Sequence, residues 1–255
     1  MFVKNYHSMK KIIKISLLSA ALTLSGCDVL NEVAGVALAP DNGTSTAPRL
    51  TNQEVISGLK EALTVGITNA VNITSVTDGF LGNNEIRLPF PETARPLMEQ
   101  AIDWGLQSQV DKIVETLNRA AEDASKEAGP IFVNAIRNMS ISDGFEILNG
   151  GEGAATNFLR RSTTNELITA FSPKVAESIE RVQLTSYWNP VATRYNQAAP
   201  LLGRERVDAD LNDYVTRRAI DGLFTMVEKE ENNIRKDPAA RVTDILSRVF
   251  GSLGN

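Results

Sequence analysis

The chain has 255 residues, 42% of them apolar, with 31 acidic and 26 basic side chains, one histidine and one cysteine. The histidine, His7, and the cysteine, Cys27, both lie near the N-terminus, so the body of the chain holds neither imidazole nor thiol. Ser-His-Asp hydrolysis, Cys-His proteolysis, zinc sites built from His or Cys, and disulfide stapling are thereby excluded, leaving carboxylate, Lys, Tyr and hydroxyl chemistry.

Lys10, Lys11 and Lys14 give a basic start, and Ile15 to Leu24 form an apolar run too short to span a bilayer. This is the pattern of a secretory signal peptide, opened by Met1 or by Met9. Leu24-Ser25-Gly26-Cys27 resembles the bacterial lipobox, which implies cleavage between Gly26 and Cys27 and lipidation of Cys27, with palmitate among the acyl chains. The residues to Gly26 carry four lysines and no acid, leaving 22 basic against 31 acidic residues and a formal charge of −9. That sign argues against nucleic acid as a partner and against a polybasic grip on anionic lipid. Membrane attachment is then the task of the lipid, and Asp28, which resembles an inner-membrane retention signal, favours the inner over the outer membrane on the periplasmic side.

Four segments are expected: residues 1–26 as leader, 27–50 as lipidated cysteine and flexible tether, 51–251 as a helical domain, and 252–255 as a tail. The tether is rich in Ala, Gly, Ser, Thr and Pro and would hold the domain about 25 Å from the membrane on average. Thr51 with Glu54 reads as a capping box, and Val55, Leu59, Leu63, Ile67 and Val71 repeat at helical spacing to about Asn72. From Thr77 to Pro91 turn residues dominate. Ile86, Leu88 and Phe90 alternate like a strand, but Pro89 and Pro91 lack ladder donors, which predicts an extended arm on the core.

Helical patterns resume at about Thr93 to Gly105 and Ser108 to Glu127, and Pro130 suits the first turn of a helix ending near Asn138. Ser140 or Ser142 caps a short helix that stops at Gly150-Gly151. A further helix begins near Gly153, and another runs from Thr164 through Phe171, with Pro173 bending or restarting it. Tyr187 to Tyr195 form an aromatic segment that ends near Pro200. Tyr214 to about Arg235 is the most regular helix, and Ala239 to Phe250 the last. The fold class is all-α: a single irregular bundle of about eight to ten helices after a signal peptide and tether.

Several blocks agree in order with a known family. They include Asn118-Arg119-Ala120-Ala121-Glu122, Ile147-Leu148-Asn149-Gly150-Gly151, Ala154-Ala155-Thr156 with Arg160-Arg161, Asp221-Gly222-Leu223-Phe224 and Pro238-Ala239-Ala240-Arg241. From about residue 50 to 251 the chain resembles a bacterial lipoprotein family catalogued as domain of unknown function 4197. The resemblance implies a Gram-negative envelope protein and carries no activity or catalytic residues.

Four constellations invite a chemical reading. Asp208, Asp210 and Asn212 match the start of a calcium loop, but Asp213 stands where the loop needs Gly and Ala219 where it needs Glu, so helix capping is expected and no metal. Gly150 to Gly153 precede a helix carrying Thr156, Arg160 and Arg161, a possible anion or ligand site, although Glu152 would repel a phosphate and a glycine-capped turn is the plainer account. Asp221 on an apolar helix, with Glu122, Asp143, Arg119, Arg160 and Arg241, suggests buried ion pairs rather than a carboxylate pair for glycoside hydrolysis. Trp104, Tyr187, Trp188 and Tyr195 would line a groove for sugar or lipid or, by default, pack in the core.

No cofactor is implied. The leading expectation is a lipid-anchored module that binds or scaffolds an envelope protein without catalysis. A pocket protein for a small ligand or lipid and a carboxylate-dependent periplasmic hydrolase are the alternatives.

Overall fold

A computed structural model describes residues 51–181, 184–207 and 210–236. These form eight α-helices and two short 3₁₀ turns, with no strand among the described residues. The expected lipidation and cleavage positions, Cys27 and Gly26, lie outside the described residues, as do Asp208, Arg241 and the expected last helix.

The first helix, α1 (Asn52–Thr74), starts where local chemistry dictates. The Thr51 hydroxyl accepts from the Glu54 N–H at 3.2 Å, and the Glu54 carboxylate accepts from the Thr51 N–H at 2.8 Å, which satisfies two backbone donors at once. Its buried stripe is Ile56, Leu59, Leu63, Ile67 and Ala70; Val55 and Val71 sit at the stripe's edge, half buried.

The arm that follows lies on the core as expected. Phe80, Ile86, Leu88 and Phe90 are all buried, although no strand pairs with them. A side chain supplies the missing ladder. Asn118 accepts from the Leu88 N–H at 2.8 Å and donates to the Leu88 carbonyl at 2.8 Å, so one buried amide satisfies both backbone groups. The Phe80 ring in turn lies against Gly222, where a Cβ would come within 2.7 Å of it.

A 3₁₀ turn (Glu92–Ala94) leads into α2 (Arg95–Asp103) and α3 (Gln107–Ser125), then α4 (Ala128–Asn138) and α5 (Ile141–Asn149). Ser140 caps α5 in a second capping box with Asp143.

The next element departs from expectation. α6 (Ala154–Arg181) is one helix of 28 residues with Pro173 inside it, where two shorter helices were predicted. Pro173 and Thr169, whose carbonyl loses its donor, are both exposed, so water can satisfy that carbonyl. Phe171 and Val175 on the opposite side are completely buried, and packing of that face carries the helix through the proline.

α7 (Leu184–Ala198) ends in a 3₁₀ turn (Ala199–Leu202), and α8 (Leu211–Lys236) closes the described chain. α8 is the central post. It packs on α6, α1 and α3, while α4 and α5 bridge α1 and α6. Phe224 of α8 meets Phe132 of α4 edge-on at 5.6 Å, the quadrupole-favoured arrangement. None of the described helices is long and apolar enough to cross a membrane.

Candidate functional site

Two buried carboxylates hold the bundle together in the same way. Glu231, on α8, points at the start of α6: the Ala155 N–H donates to Oε1 at 3.0 Å, and the Thr156 N–H and hydroxyl donate to Oε2 at 2.9 and 2.8 Å. A helix N-terminus presents unpaired N–H groups and the positive end of its dipole, so it attracts an anion. Here the anion is the chain's own. One turn along, Arg235 pairs with Glu231 at 2.8 Å and donates to the Ile147 carbonyl at 2.9 Å, near the end of α5. One clasp thus ties the end of α5, the start of α6 and the body of α8. Glu122 on α3 repeats the scheme, accepting the Phe80 and Leu81 N–H groups at 3.1 and 3.2 Å and pairing with Arg119 at 2.8 Å. Arg119 also reaches Asp78, whose φ of 66° is the one left-handed non-glycine conformation among the described residues.

The three residues expected around an anion go to different partners. Thr156 is engaged by Glu231, which holds the place the anion was expected to take. Arg160 pairs with Asp221 at 3.0 Å and lies 4.4 Å above the Phe224 ring. Arg161 faces Glu146 at 3.8 Å. Arg160 and Asp221 form an ion pair at the surface, not in the core, with side chains 43% and 57% exposed.

Of the acids that resembled a calcium loop, Asp210 accepts from the Asp213 N–H at 3.1 Å as a helix cap. Asn212 exchanges hydrogen bonds with Ser172 of α6, both at 3.0 Å. Among the described residues no cluster of three or more acids, His or Cys is placed to hold a metal ion.

A groove of about 210 Å³ runs between α5 and α6. Asp143, Glu146 and Ile147 line one wall, Asn157, Phe158 and Arg161 the other, and Glu152 stands at the turn between them. The matching spacing of 143, 146, 147 and of 157, 158, 161 shows one face of each helix turned inward. The wall is acidic. Asp143 is held as a carboxylate below its usual range by the Ser140 hydroxyl and the Ser140 N–H that donate to it, with Arg161 adding to the effect.

The aromatic residues separate. Trp188 is buried edge-on against Phe90 at 5.6 Å, and Tyr195 is half buried; the Tyr187 side chain lies outside the described residues. Trp104 does the opposite: it is 68% exposed at the turn between α2 and α3, beside Gly105 with φ of 80° and Leu106, itself 39% exposed. α2 contains no fully buried residue, and its Leu97, Met98, Ala101 and Ile102 are only half covered. The core-packing default was misplaced at this tryptophan because solvent exposure is decided by where the hairpin ends, which no local pattern encodes.

Glu231 and Asn118 are the structural side chains that sequence reasoning undervalued. The spacing of Glu231 and Arg235 signals an i,i+4 pair, but nothing local says that the pair closes on a helix start 75 residues away.

These features define an all-α domain whose buried carboxylates bind its own backbone and whose α2–α3 corner leaves Trp104 and Leu106 exposed. The chain belongs to the family described as Protein of unknown function (DUF4197), whose model matches residues 49–251. No curated protein and no solved structure matches it.

Proposed function

We propose that this protein is a lipid-anchored module of the Gram-negative cell envelope that works by binding a protein partner through its α2–α3 corner, without catalysis. The anchor and the periplasmic address rest on the basic start, the apolar run and the Leu24-Ser25-Gly26-Cys27 sequence. The observation that carries the binding reading is Trp104. An indole left 68% exposed beside Leu106, on a helix pair with half-covered apolar residues, is the kind of surface that protein interfaces cover. Charge favours a protein over the bilayer at this corner: Glu92, Glu99, Asp103 and Asp111 outnumber Arg95 and Lys112, so anionic headgroups would be repelled.

Crosslinking in intact cells, followed by purification of the native protein, tests the reading. A partner captured by the wild type and lost in Trp104→Ser supports it; equal capture by both removes the corner from the account. Radiolabelled palmitate should enter the wild type and not Cys27→Ala, and uptake by both would refute the anchor.

A further inference from the structure

The turn between α7 and α8 is built to hold an apolar side chain out in water. Leu201, in the 3₁₀ turn after α7, is 88% exposed, more than any other large apolar residue among the described residues. Fraying does not account for it, because the turn is closed by hydrogen bonds at its tip and at its base. Gly203 takes the left-handed conformation, at φ 65°, and its N–H donates to the Pro200 carbonyl at 3.3 Å, while the Arg204 N–H donates to the Ala199 carbonyl at 2.8 Å. Together these two bonds form a Schellman cap, which satisfies the last carbonyls of the segment.

At the base, Asn196 accepts from the Val207 N–H at 2.7 Å and donates to the Val207 carbonyl at 2.9 Å, so one amide fastens the two legs to each other. Ala199 and Val207 are buried there, and a Cβ added at Gly203 would meet nothing within 4 Å. Leu201 thus stands at the tip of an ordered knob. Charge at the knob runs against the rest of the chain. Residues 192–207 hold Arg194, Arg204 and Arg206 against Glu205 alone, whereas the chain beyond residue 26 is formally −9. Arg204 and Arg206 are exposed, and neither forms an ion pair with a described residue. Asp210, the next described acid, serves the start of α8, where it accepts from the Asp213 N–H.

We propose that the α7–α8 turn is a membrane-contact point, with Leu201 entering the acyl boundary of a bilayer and Arg204 and Arg206 meeting anionic lipid phosphates. An apolar tip with cations beside it gains from both parts of that boundary. One leucine and two arginines fall far short of the roughly 800 Å² per partner that a stable protein interface covers, which favours a lipid surface here. The inference rests on the proposed anchor at Cys27. A knob confined within a tether's length of the bilayer meets lipid at an effective concentration of about millimolar, so a contact too weak to hold a free protein still forms. It requires nothing of the α2–α3 corner.

The test uses the full lipid-bearing protein in vesicles of phosphatidylethanolamine and phosphatidylglycerol, with a nitrobenzoxadiazole maleimide at Leu201→Cys. Acylated Cys27 has no free thiol, so the wild type should take up no dye and should float with the vesicles. Dye at 201 should be quenched by nitroxide-labelled acyl chains several-fold more strongly than dye at Asn233→Cys, an exposed position about 33 Å from the start of α8 along its axis. Arg204→Glu with Arg206→Glu should reduce the quenching at 201 several-fold, with the circular dichroism unchanged. A wild type that takes up dye or fails to float refutes the anchor, and this inference with it. A floating protein whose dye at 201 is quenched no more than at 233 overturns the knob alone. Quenching that survives the charge reversal overturns the role given to the arginines, and dye at 201 that is shielded in cell envelopes but not in vesicles assigns the turn to a protein instead.

Discussion

The seam between α6 and α8 and the corner between α2 and α3 use opposite strategies. At the seam a buried carboxylate is fully partnered: Glu231 takes two N–H groups, a hydroxyl and an arginine, and both it and Arg235 are nearly buried, at 5% and 15% exposed. At the corner, Trp104, Gly105, Leu106 and their neighbours from 103 to 109 are all exposed. Closing a buried charge in hydrogen bonds makes a junction rigid, because removing any partner strands the others in low dielectric. Leaving an indole in water contributes little to folding and keeps apolar area available for something else. Stability is thereby concentrated at the seam, while under the proposed function binding falls to the corner, so changes at the two should have separable effects.

The largest effect is expected at the seam. Glu231→Ala removes the acceptor that Arg235 shares with the first N–H groups of α6, and should cost about 3–5 kcal/mol in urea unfolding. A loss below about 1 kcal/mol would mean that water replaces the carboxylate without penalty. Next comes the arm. Gly222→Ala drives a methyl to 2.7 Å from the completely buried Phe80 ring, which has no room to yield, and should destabilise by about 1–3 kcal/mol.

Smaller is the α5 cap, where Ser140→Ala should cost about 1 kcal/mol. The pH dependence there has a definite sign. Because the folded carboxyl of Asp143 titrates below its unfolded value, its contribution is present above the ordinary carboxylate range near pH 4 and fades as pH falls through the lower folded value. Asp143→Asn should flatten that part of the acid limb in a stability-against-pH profile. Smallest of all, Trp104→Ser should leave the unfolding free energy within about 0.5 kcal/mol of wild type. A large loss there would make the corner part of the core and erase the contrast.

How much of this could be read from the sequence follows the range of each interaction. The Thr51–Glu54 box is local, three residues apart, and the spacing alone announces it. The arm was legible too, since two prolines in a strand-like alternation leave few alternatives. The break expected before Thr164 is absent and Pro173 does not restart the helix: the cost of the proline is local, but the burial of Phe171 and Val175 that carries the helix through it is tertiary. The glycine-rich turn before α6 read more plainly as a helix cap than as an anion site, and the carboxylate that meets this helix start, Glu231, depends on two helices meeting in space. Trp104 and Trp188 are the same residue type with opposite fates, and only the packing of α2 distinguishes them.

Site-specific photocrosslinking in intact cells addresses the corner most directly. A crosslinking side chain placed at 104 should trap one discrete protein adduct, and the same side chain at 217, on the exposed face of α8, should trap none. No adduct from 104, or the same adducts from both positions, would contradict the account.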